Sequence, residues 1–310
     1  MQVIKDHPAF ESPREKLVGY FSRGDLSFSA NDHVCFVCGA AGETLPDTHE
    51  QSLRAIFVDH VAADANSRIL CVRAESATQE LLRQPEERRY ANFSLFEKII
   101  AETVDSVLIF PESPGSFAEL GYFSAHDDIA AKCLVAIRRQ YQANSFITLG
   151  PIRLVAKASA FGPIPYVLGD DPAADMATIS ARLLGDPQQK RPYRRRFARQ
   201  PWKDLDSRSQ LSVLGEIVDI AGAITEVDLL HVVYALFGAY DVSKLRMQLA
   251  LLVATNRAVR NDTGDLLSRG SARRFMDGNE PERMAVIGKW RDAYATQFPD
   301  VIEELEASRQ

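Results

Sequence analysis

The sequence lacks long apolar runs, carries little cysteine and has no excess of positive charge. No stretch approaches the roughly 20 apolar residues that a membrane-spanning helix needs. Residues 1–10 contain no apolar core of the kind found in signal peptides. The formal net charge of −6 argues against a chain coated in basic residues, although it leaves room for a local basic patch. We therefore expect a cytoplasmic protein that has no membrane partner.

Four cysteines are present, and two of them, Cys35 and Cys38, have the spacing of a metal or redox pair. That pair lies inside the apolar run 33–41, where a strand would turn residues three apart to opposite faces. Neither of the other two, Cys71 and Cys133, belongs to a second pair that could complete a zinc site. The pattern favours buried, reduced thiols, and we predict no metal and no bound cofactor.

Length and composition predict a globular protein of more than one domain. The chain has 310 residues, of which 46% are hydrophobic and 25% charged, and these are ordinary values for a packed core. Changes in pattern divide it into a helical arm, an α/β domain, a basic linker and a mainly helical domain. The predicted boundaries are 1–30, 31–170, 171–204 and 205–310.

The α/β domain is predicted from short apolar runs that alternate with amphipathic stretches. Such alternation is typical of βαβ units and predicts a doubly wound parallel sheet. A binding site is then expected at the carboxyl ends of the strands, around 39–42, 74–75 and 110–119. The predicted strands are 34–38, 68–72, 106–110 and 133–137, and the clearest helices are 48–63 and 93–103.

The C-terminal region has the pattern of a winged helix-turn-helix. Two helices, 226–237 and 243–255, are joined by a tight turn that contains Gly238. They are followed by short segments at 257–260 and 265–268 with turn residues at 261–264 between them, which predict a small hairpin.

The stretch that carries chemistry runs from a buried strand into a helix. The strand ends at Phe110, a Pro/Gly/Ser turn follows, and the helix is predicted to begin near Ser116, so that its first turn offers backbone N–H groups to a phosphate. Gly115 permits close approach, and Ser116 can cap the helix. Glu119 then either bonds back to the cap in a capping box or acts in the crevice, and the residues alone leave both interpretations open.

This stretch resembles three enzyme families. Gly115-Ser116-x-x-Glu119 is similar to the Gly-Thr-x-x-Glu of cytokinin-activating nucleotide phosphoribohydrolases, and 117–122 is similar to a segment of nucleoside 2-deoxyribosyltransferases. The run 108–121 resembles more closely the effector proteins of bacterial retrons, in which a deoxyribosyltransferase-like domain is followed by a winged-helix tail. Segments 36–39 and 145–154 add to this resemblance.

The resemblance implies a chemical role for Glu119. In the transferases the matching Glu attacks the anomeric carbon, so Glu119 would be the nucleophile or would stabilise an oxocarbenium-like transition state. The transferases also have an Asp six residues earlier that helps the base to leave, whereas this chain has Ser113, with Glu112 beside it. Ser113 and Glu112 are therefore both candidates for a catalytic role. Because nicotinamide leaves NAD⁺ without needing a proton, the departure at Ser113 predicts NAD⁺ as substrate and water as acceptor.

Residues around this stretch are candidates for binding the substrate. Gly39 ends the first strand, and Glu75 follows the second, where an acid often holds ribose hydroxyls and otherwise is a solvated loop acid. The others lie in the segments that carry the resemblance. The complete set is Cys38, Gly39, Glu75, Pro114, Gly115, Ser116 and Tyr122.

A basic run at 190–199 is a candidate contact for nucleic acid. Its six cationic residues are interleaved with Tyr193 and Phe197, which suits phosphate contact and base stacking, although such runs are also common in solvated linkers. The resemblance implies retron partners, namely a reverse transcriptase and its branched RNA–DNA product (msDNA), in a homo-oligomer or larger assembly. The candidate residues are Lys190, Arg191, Arg194, Arg195 and Arg196.

Together these features predict a toxic effector of an anti-phage retron system. It would hydrolyse the N-glycosidic bond of NAD⁺ and deplete that pool when released from its complex. One alternative is hydrolysis or transfer on purine nucleotides or deoxynucleosides. Another is a non-catalytic nucleotide sensor whose winged helix binds DNA as a regulator.

Overall fold

The computed structural model describes residues 4, 7–29, 33–42, 51–83, 93–185, 195–261, 266–270 and 274–302. The chain divides into two compact units. Residues Asn31–Arg191 form one, called here the α/β unit, and Met1–Ala30 together with Pro192–Gln310 form the other, called the helical unit. The N-terminal arm that the sequence suggested as a separate piece therefore belongs to the same unit as the C-terminal residues.

Helices and strands are numbered separately along the described residues. The helices are α1 (Glu11–Ser22), α2 (Leu53–Ala63), α3 (Ala74–Leu81), α4 (Phe93–Thr103), α5 (Pro114–Ser124), α6 (Asp127–Ala130), α7 (Phe146–Leu149), α8 (Pro151–Ala158), α9 (Pro172–Leu184), α10 (Ser207–Ala221), α11 (Glu226–Phe237), α12 (Val242–Ala254) and α13 (Glu280–Gln297). The strands are β1 (Ser27–Phe28), β2 (His33–Cys38), β3 (Ile69–Val72), β4 (Ser106–Ile109), β5 (Cys133–Arg138), β6 (Tyr166–Leu168), β7 (Ala223–Thr225), β8 (Ala258–Arg260), β9 (Leu266–Arg269) and β10 (Met276–Asp277).

The α/β unit is built on a parallel sheet of five strands in the order β3-β2-β4-β5-β6. Cys35 of β2 lies opposite Cys71 of β3 on one side and Ser106 of β4 on the other. The chain adds β3 at one side of β2 and every later strand at the other, so the direction of winding reverses between β2 and β4. The prediction of an α/β fold with a parallel sheet is confirmed.

Helices cover both faces of this sheet, and this explains why its strands read as nearly continuous apolar runs. On one face, Phe57 of α2 and Ile179 of α9 join Val37 and Leu108 in the core. On the other, the ring of Phe36 lies 6.1 Å from that of Phe123 in α5. This two-sided burial holds the carboxyl ends of β2, β3 and β4 in register at one edge.

Helix α9 corrects the prediction of a linker over 171–204. Asp171 caps it by accepting the N–H of Ala173 at 3.1 Å, and Pro172 occupies the first turn. Both are start signals for a helix, and Met176 on its inner face is completely buried in the core of the α/β unit. Part of the presumed linker is therefore a structural layer of the sheet domain.

The helical unit contains the two helices and the hairpin that the sequence suggested. Its order is α10, β7, α11, α12, β8 and β9, and the three strands form an antiparallel sheet in the order β7-β9-β8. Helix α1 packs on α13, and directly before α1 the ring of Phe10 lies 5.0 Å from that of Tyr294 in α13. The predicted turn at 261–264 lies mostly outside the described residues.

Across the described part of the chain, none of the helices has both the length and the apolar character that would let it cross a bilayer.

Candidate functional site

A cavity of about 690 Å³ opens at the carboxyl ends of β2, β3 and β4. It lies where the winding of the sheet reverses, which is where ligands bind in open α/β sheets. We call it the strand-end pocket. Its lining residues are Val37, Gly39, Ala40, Ala41, Gly42, Arg54, Ala74, Glu75, Thr78, Gln79, Glu97, Ser113, Gly115, Ser116 and Glu119.

The first turn of α5 differs from its prediction, and Glu119 takes no part in its capping box. Ser113, and not Ser116, caps the helix, because Ser113 Oγ accepts the N–H of Ser116 at 3.2 Å. Ser116 Oγ accepts the N–H of Ser113 in return, at 2.9 Å, so these two serines make the capping box. Of the two interpretations that the sequence left open for Glu119, a capping box with Ser116 is therefore wrong. Glu119 lies one turn further on, and its carboxylate is left to face the pocket.

Glu119 is a half-buried carboxyl group in an acidic environment. Its pKa is raised to about 7, first by burial and then by the neighbouring Glu97, with a smaller contribution from Glu75. A hydrogen bond with Cys38 and the charge of Arg54 act in the opposite direction. An acid whose pKa is displaced towards neutrality in a cleft is typical of a catalytic group.

Cys38 forms a side-chain hydrogen bond with Glu119. The thiol is buried at the end of β2, and burial raises its pKa well above the ordinary value, so it stays protonated and donates to the Glu119 carboxylate. Cys38 was predicted to bind substrate, but it is not one of the lining residues. Cys35 points into the opposite core, as alternation along a strand requires. Among the described residues no group of three or more His, Cys, Asp or Glu could hold a metal ion.

Arg54 and Glu75 form an ion pair on the wall of the pocket. Arg54 Nη1 donates to the two carboxylate oxygens of Glu75 at 2.9 and 3.1 Å. The Arg54 side chain is 8% exposed and that of Glu75 47%, so a buried cation holds an accessible carboxylate. Gly39 makes this possible, since a Cβ there would lie 2.7 Å from the Cβ of Arg54. Gly39 and Glu75 were predicted from the sequence, whereas Arg54 was not. In the sequence Arg54 is marked only by its charge beside the apolar residues of α2.

Glu97 is the second pocket residue that the sequence analysis missed. It lies on α4, is half-buried, and its pKa is raised first by burial and then by Glu75. Its sequence signal is an acid placed directly beside the apolar positions Phe96 and Ile100. Among the residues that the structure describes, the pocket is therefore lined by three carboxyl groups, of Glu75, Glu97 and Glu119, and by the guanidinium group of Arg54.

Glu112 does not supply the missing proton donor. Its carboxylate accepts the backbone N–H of Leu53 at 2.9 Å, and those of Ala40 and Arg54 at 3.3 Å. These bonds tie the end of β4 to the first turn of α2 and to the loop after β2, and Glu112 is not among the lining residues. The placement contradicts its interpretation as a leaving-group acid, because its carboxylate oxygens are engaged by three backbone N–H groups and do not line the pocket.

The remaining predicted residues of this segment divide into two groups. Ser113, Gly115 and Ser116 line the strand-end pocket. Pro114 is exposed in the first turn of α5, and Tyr122 stacks near His126 with ring centroids 4.8 Å apart. Pro114 and Tyr122 are not lining residues, so the pocket does not use them as predicted.

The basic run is only partly described, and its described residues have different roles. Lys190, Arg191 and Arg194 lie outside the described residues. Arg195 bonds to Asp206 and to Ser209 Oγ at 3.0 Å. Phe197 is buried with 2% exposure, which corrects its interpretation as a stacking platform for bases. Arg196 is exposed and makes no side-chain hydrogen bond or ion pair with the described residues.

Comparison with known proteins gives the family. A family model described as "STM3845 retron effector protein" matches residues 50–259, which are 210 of the 310 residues of the chain. The chain belongs to this retron effector family. The resemblance to retron effectors is therefore confirmed at the level of the family, and the matched range includes Arg54, Glu75, Glu97 and Glu119.

A relative in Escherichia coli is similar over part of the chain. It is named as a candidate ribosyltransferase/DNA-binding protein of retron Ec86, and it is 45% identical over 149 residues. This match covers 47% of the present chain and 45% of the relative. The chain therefore spans less than half the length of that relative.

Proposed function

We propose that the strand-end pocket of this effector breaks the N-glycosidic bond of a nucleotide, with Glu119 as nucleophile, NAD⁺ as substrate and water as acceptor. The observation that carries the proposal is the position of Glu119, a half-buried carboxyl group that faces a cavity at the reversal of the sheet and takes no part in capping its own helix. The name of the relative in Escherichia coli, which describes a ribosyltransferase, supports the same class of reaction.

The charges of the pocket favour a substrate whose sugar end is cationic. Among the described residues, three carboxyl groups and a single guanidinium group line the pocket, and those carboxyl groups that are ionised attract a pyridinium ring or an oxocarbenium ion towards Glu119. A bound positive charge also lowers the pKa of Glu119, and the carboxylate is then ionised when it must attack. The nicotinamide end of NAD⁺ carries such a charge.

The reaction needs two displacements at the anomeric carbon. A carboxylate oxygen of Glu119 attacks C1′, the bond from C1′ to nitrogen breaks, and the electron pair goes to the pyridinium ring, which leaves as neutral nicotinamide. Water then attacks C1′, the ester to Glu119 breaks, and ADP-ribose and a proton are released. In this scheme Glu75, which is bonded to Arg54, accepts hydrogen bonds from the ribose hydroxyls.

The test is an assay of nicotinamide release by the purified full-length chain, freed from any inhibitor. Incubation with NAD⁺ should release nicotinamide and ADP-ribose in equal amounts. A deoxynucleoside serves as the comparison substrate. Base release from the deoxynucleoside without nicotinamide release from NAD⁺ would overturn the choice of substrate.

The helical unit is proposed to be a winged-helix module. Its helix, strand, two helices and two antiparallel strands occur in the order that this motif requires. Within it, Leu245 and residues 247–252 of α12 are buried, which leaves that helix few side chains with which to read bases. We propose that the module, together with the basic run, holds the effector in a complex with a reverse transcriptase and its branched RNA–DNA, where its toxic activity is silent.

Arg196 provides a test of the nucleic-acid contact. We expect Arg196→Ala to weaken binding of branched RNA–DNA and to lower the slope of log affinity against log salt by about 1, because one phosphate contact is lost. Fluorescence anisotropy at several salt concentrations measures both quantities. The matched control is Arg153→Ala, which removes an exposed arginine of the α/β unit. An unchanged salt slope in the Arg196 variant would contradict the contact.

A further inference from the structure

The strand-end pocket contains a carboxyl group that the proposed attack on NAD⁺ leaves unused. Glu97 lines the same cavity as Glu119 and is half-buried. Among the described residues, no hydrogen bond or ion pair involves its side chain. Removing a carboxyl group from water without a protein partner is unfavourable, so such a group usually serves a ligand.

The packing of α4 fixes where Glu97 points. Ile100 and Ala101, three and four residues later on the same side of the helix, are both completely buried, with 0% exposure. Residues at these spacings share one face of a helix. Glu97 is therefore on the face that packs against the body of the α/β unit, and it reaches the cavity at the edge of that contact.

A proton donor at Glu97 would take the place of the transferases' Asp, which this chain replaces with Ser113. Ser113 occupies the position of the transferases' acid, and it is engaged in the capping box with Ser116. Glu112 is held by backbone amides. Of the remaining pocket acids, Glu75 is paired with Arg54 and Glu119 is the proposed nucleophile, which leaves Glu97.

We propose that Glu97 is the acid and base partner of Glu119, and that the pocket therefore also cleaves ribonucleotides whose base leaves as a neutral molecule. The inference rests on the proposed function and extends its class of substrates. Glu97 is a catalytic residue in this scheme because it transfers a proton directly to the leaving base and later accepts one from water.

The proposed steps balance. Glu119 attacks C1′ while the bond from C1′ to the base breaks, and the Glu97 carboxyl group gives its proton to the base nitrogen that receives the electron pair. Water then attacks C1′, the ester bond returns its electrons to Glu119, and the Glu97 carboxylate takes the water proton. Each residue ends in its starting state, and no further reactant is needed.

The surroundings of Glu97 agree with this cycle. Burial, and then the charge of Glu75, raise the pKa of Glu97 above its ordinary value, which favours the protonated form in the resting pocket. Once Glu119 has been converted to an ester it no longer carries a charge. The Glu97 carboxylate left behind by proton transfer to the base therefore meets no negative charge on Glu119, and it can act as a base.

The test compares leaving groups in a Glu97→Gln variant of the full chain. We expect base release from a purine ribonucleotide such as AMP to fall by about 10²- to 10⁴-fold, the usual effect of losing an acid catalyst. The first burst of nicotinamide from NAD⁺ should fall much less than release from AMP, because its leaving group needs no proton, and the ratio of the two losses is the quantity that tests the role. The matched control is Glu102→Gln, which changes an acid of the same helix that pairs with Lys98 at 3.9 Å.

A second variant separates chemistry from folding. In Glu97→Ala, azide should accelerate the second step and yield a ribosyl azide, since azide attacks C1′ without needing a base. Equal losses with both leaving groups, or no azide effect, would overturn the role of Glu97. Release from NAD⁺ but not from AMP by the unsubstituted chain would also overturn it and leave the proposed function standing, whereas release from neither would reject both.

Discussion

Glu119→Gln is expected to abolish nicotinamide release, with a loss of at least about 10³-fold in kcat/KM, because an amide cannot form the glycosyl ester. Binding of NAD⁺ should persist, since glutamine keeps the shape of the side chain. Nicotinamide release by the purified chain and growth arrest on expression are the two measurements. The control variant Glu102→Gln should behave like the unsubstituted chain.

This variant also separates an enzyme from a sensor. If the effector were a nucleotide-dependent DNA-binding regulator without catalytic activity, Glu119→Gln would leave ligand-dependent DNA binding in place and have little effect on toxicity. Retention of full toxicity and of nicotinamide release would contradict the assignment of Glu119 as nucleophile.

The pH dependence of the unsubstituted chain should follow the same carboxyl group. The attacking form is the carboxylate, and the pKa of Glu119 in the empty pocket is about 7. Because kcat/KM reports the free enzyme, it should rise with pH through about 7 and level off above it. A profile that is flat between pH 5 and 9 would contradict a titrating nucleophile.

The stability of Glu119→Gln should change in the direction opposite to its activity. The folded state raises the pKa of Glu119 above its value in the unfolded chain, so this group's stability is fully present at low pH and is lost as the pH rises through about 7. Glutamine remains neutral at every pH. Above pH 7 the variant should therefore have a Tm equal to or higher than that of the unsubstituted chain.

Arg283→Met is expected to destabilise the helical unit by roughly 3–5 kcal/mol, the usual cost of breaking a buried ion pair. Arg283 Nε bonds to Glu216 at 2.8 Å, and its Nη2 bonds to Asp219. The side chains of Arg283 and Glu216 are 4% and 1% exposed. Glu216 also accepts the hydroxyl of Tyr20 at 2.8 Å. Without the arginine, two carboxylates remain in the interior without their main cation.

Urea unfolding of the full chain, followed by circular dichroism, measures this loss. The matched control is Arg23→Met in the same unit, because Arg23 is 63% exposed and pairs with Glu282 at 2.8 Å. An exposed pair contributes only about 0–1 kcal/mol. Equal effects of the two substitutions would contradict a structural role for the buried network. Adding Glu216→Gln and Asp219→Asn to Arg283→Met should recover part of the loss.

Most strands and helices of the fold could be predicted from the local sequence pattern. The strands β2, β4 and β5 are apolar on both sides because helices cover both faces. Such two-sided burial is visible in the sequence as nearly continuous apolar runs. Helix α11 was predicted with the bounds that the structure has. The start of α5 was misplaced, because Ser113 and Ser116 are both good caps three residues apart. Pro114, which favours a first helical turn, was the signal that distinguishes them.

The site could be located from the sequence but not completed. The carboxyl ends of parallel strands meet at one edge, so the sequence alone places Gly39, Glu75 and Glu119 in one crevice. Arg54 and Glu97 could not, because their importance comes from burial on helices that reach the pocket from distant parts of the chain. Glu112 shows the reverse error, since proximity in sequence to Ser113 suggested a role that its three amide bonds exclude.

Residue order alone established the alternating strands and helices, the strand-to-helix corner that bears Glu119 and the resemblance to retron effectors. These features depend on neighbours within a few positions, which hydrophobic period and turn residues report. The three-dimensional packing decided which acids share the pocket and how strongly they perturb one another, because burial and charge act through space. It is this packing that raises the pKa of Glu119 to about 7 and places Glu97 in the same pocket.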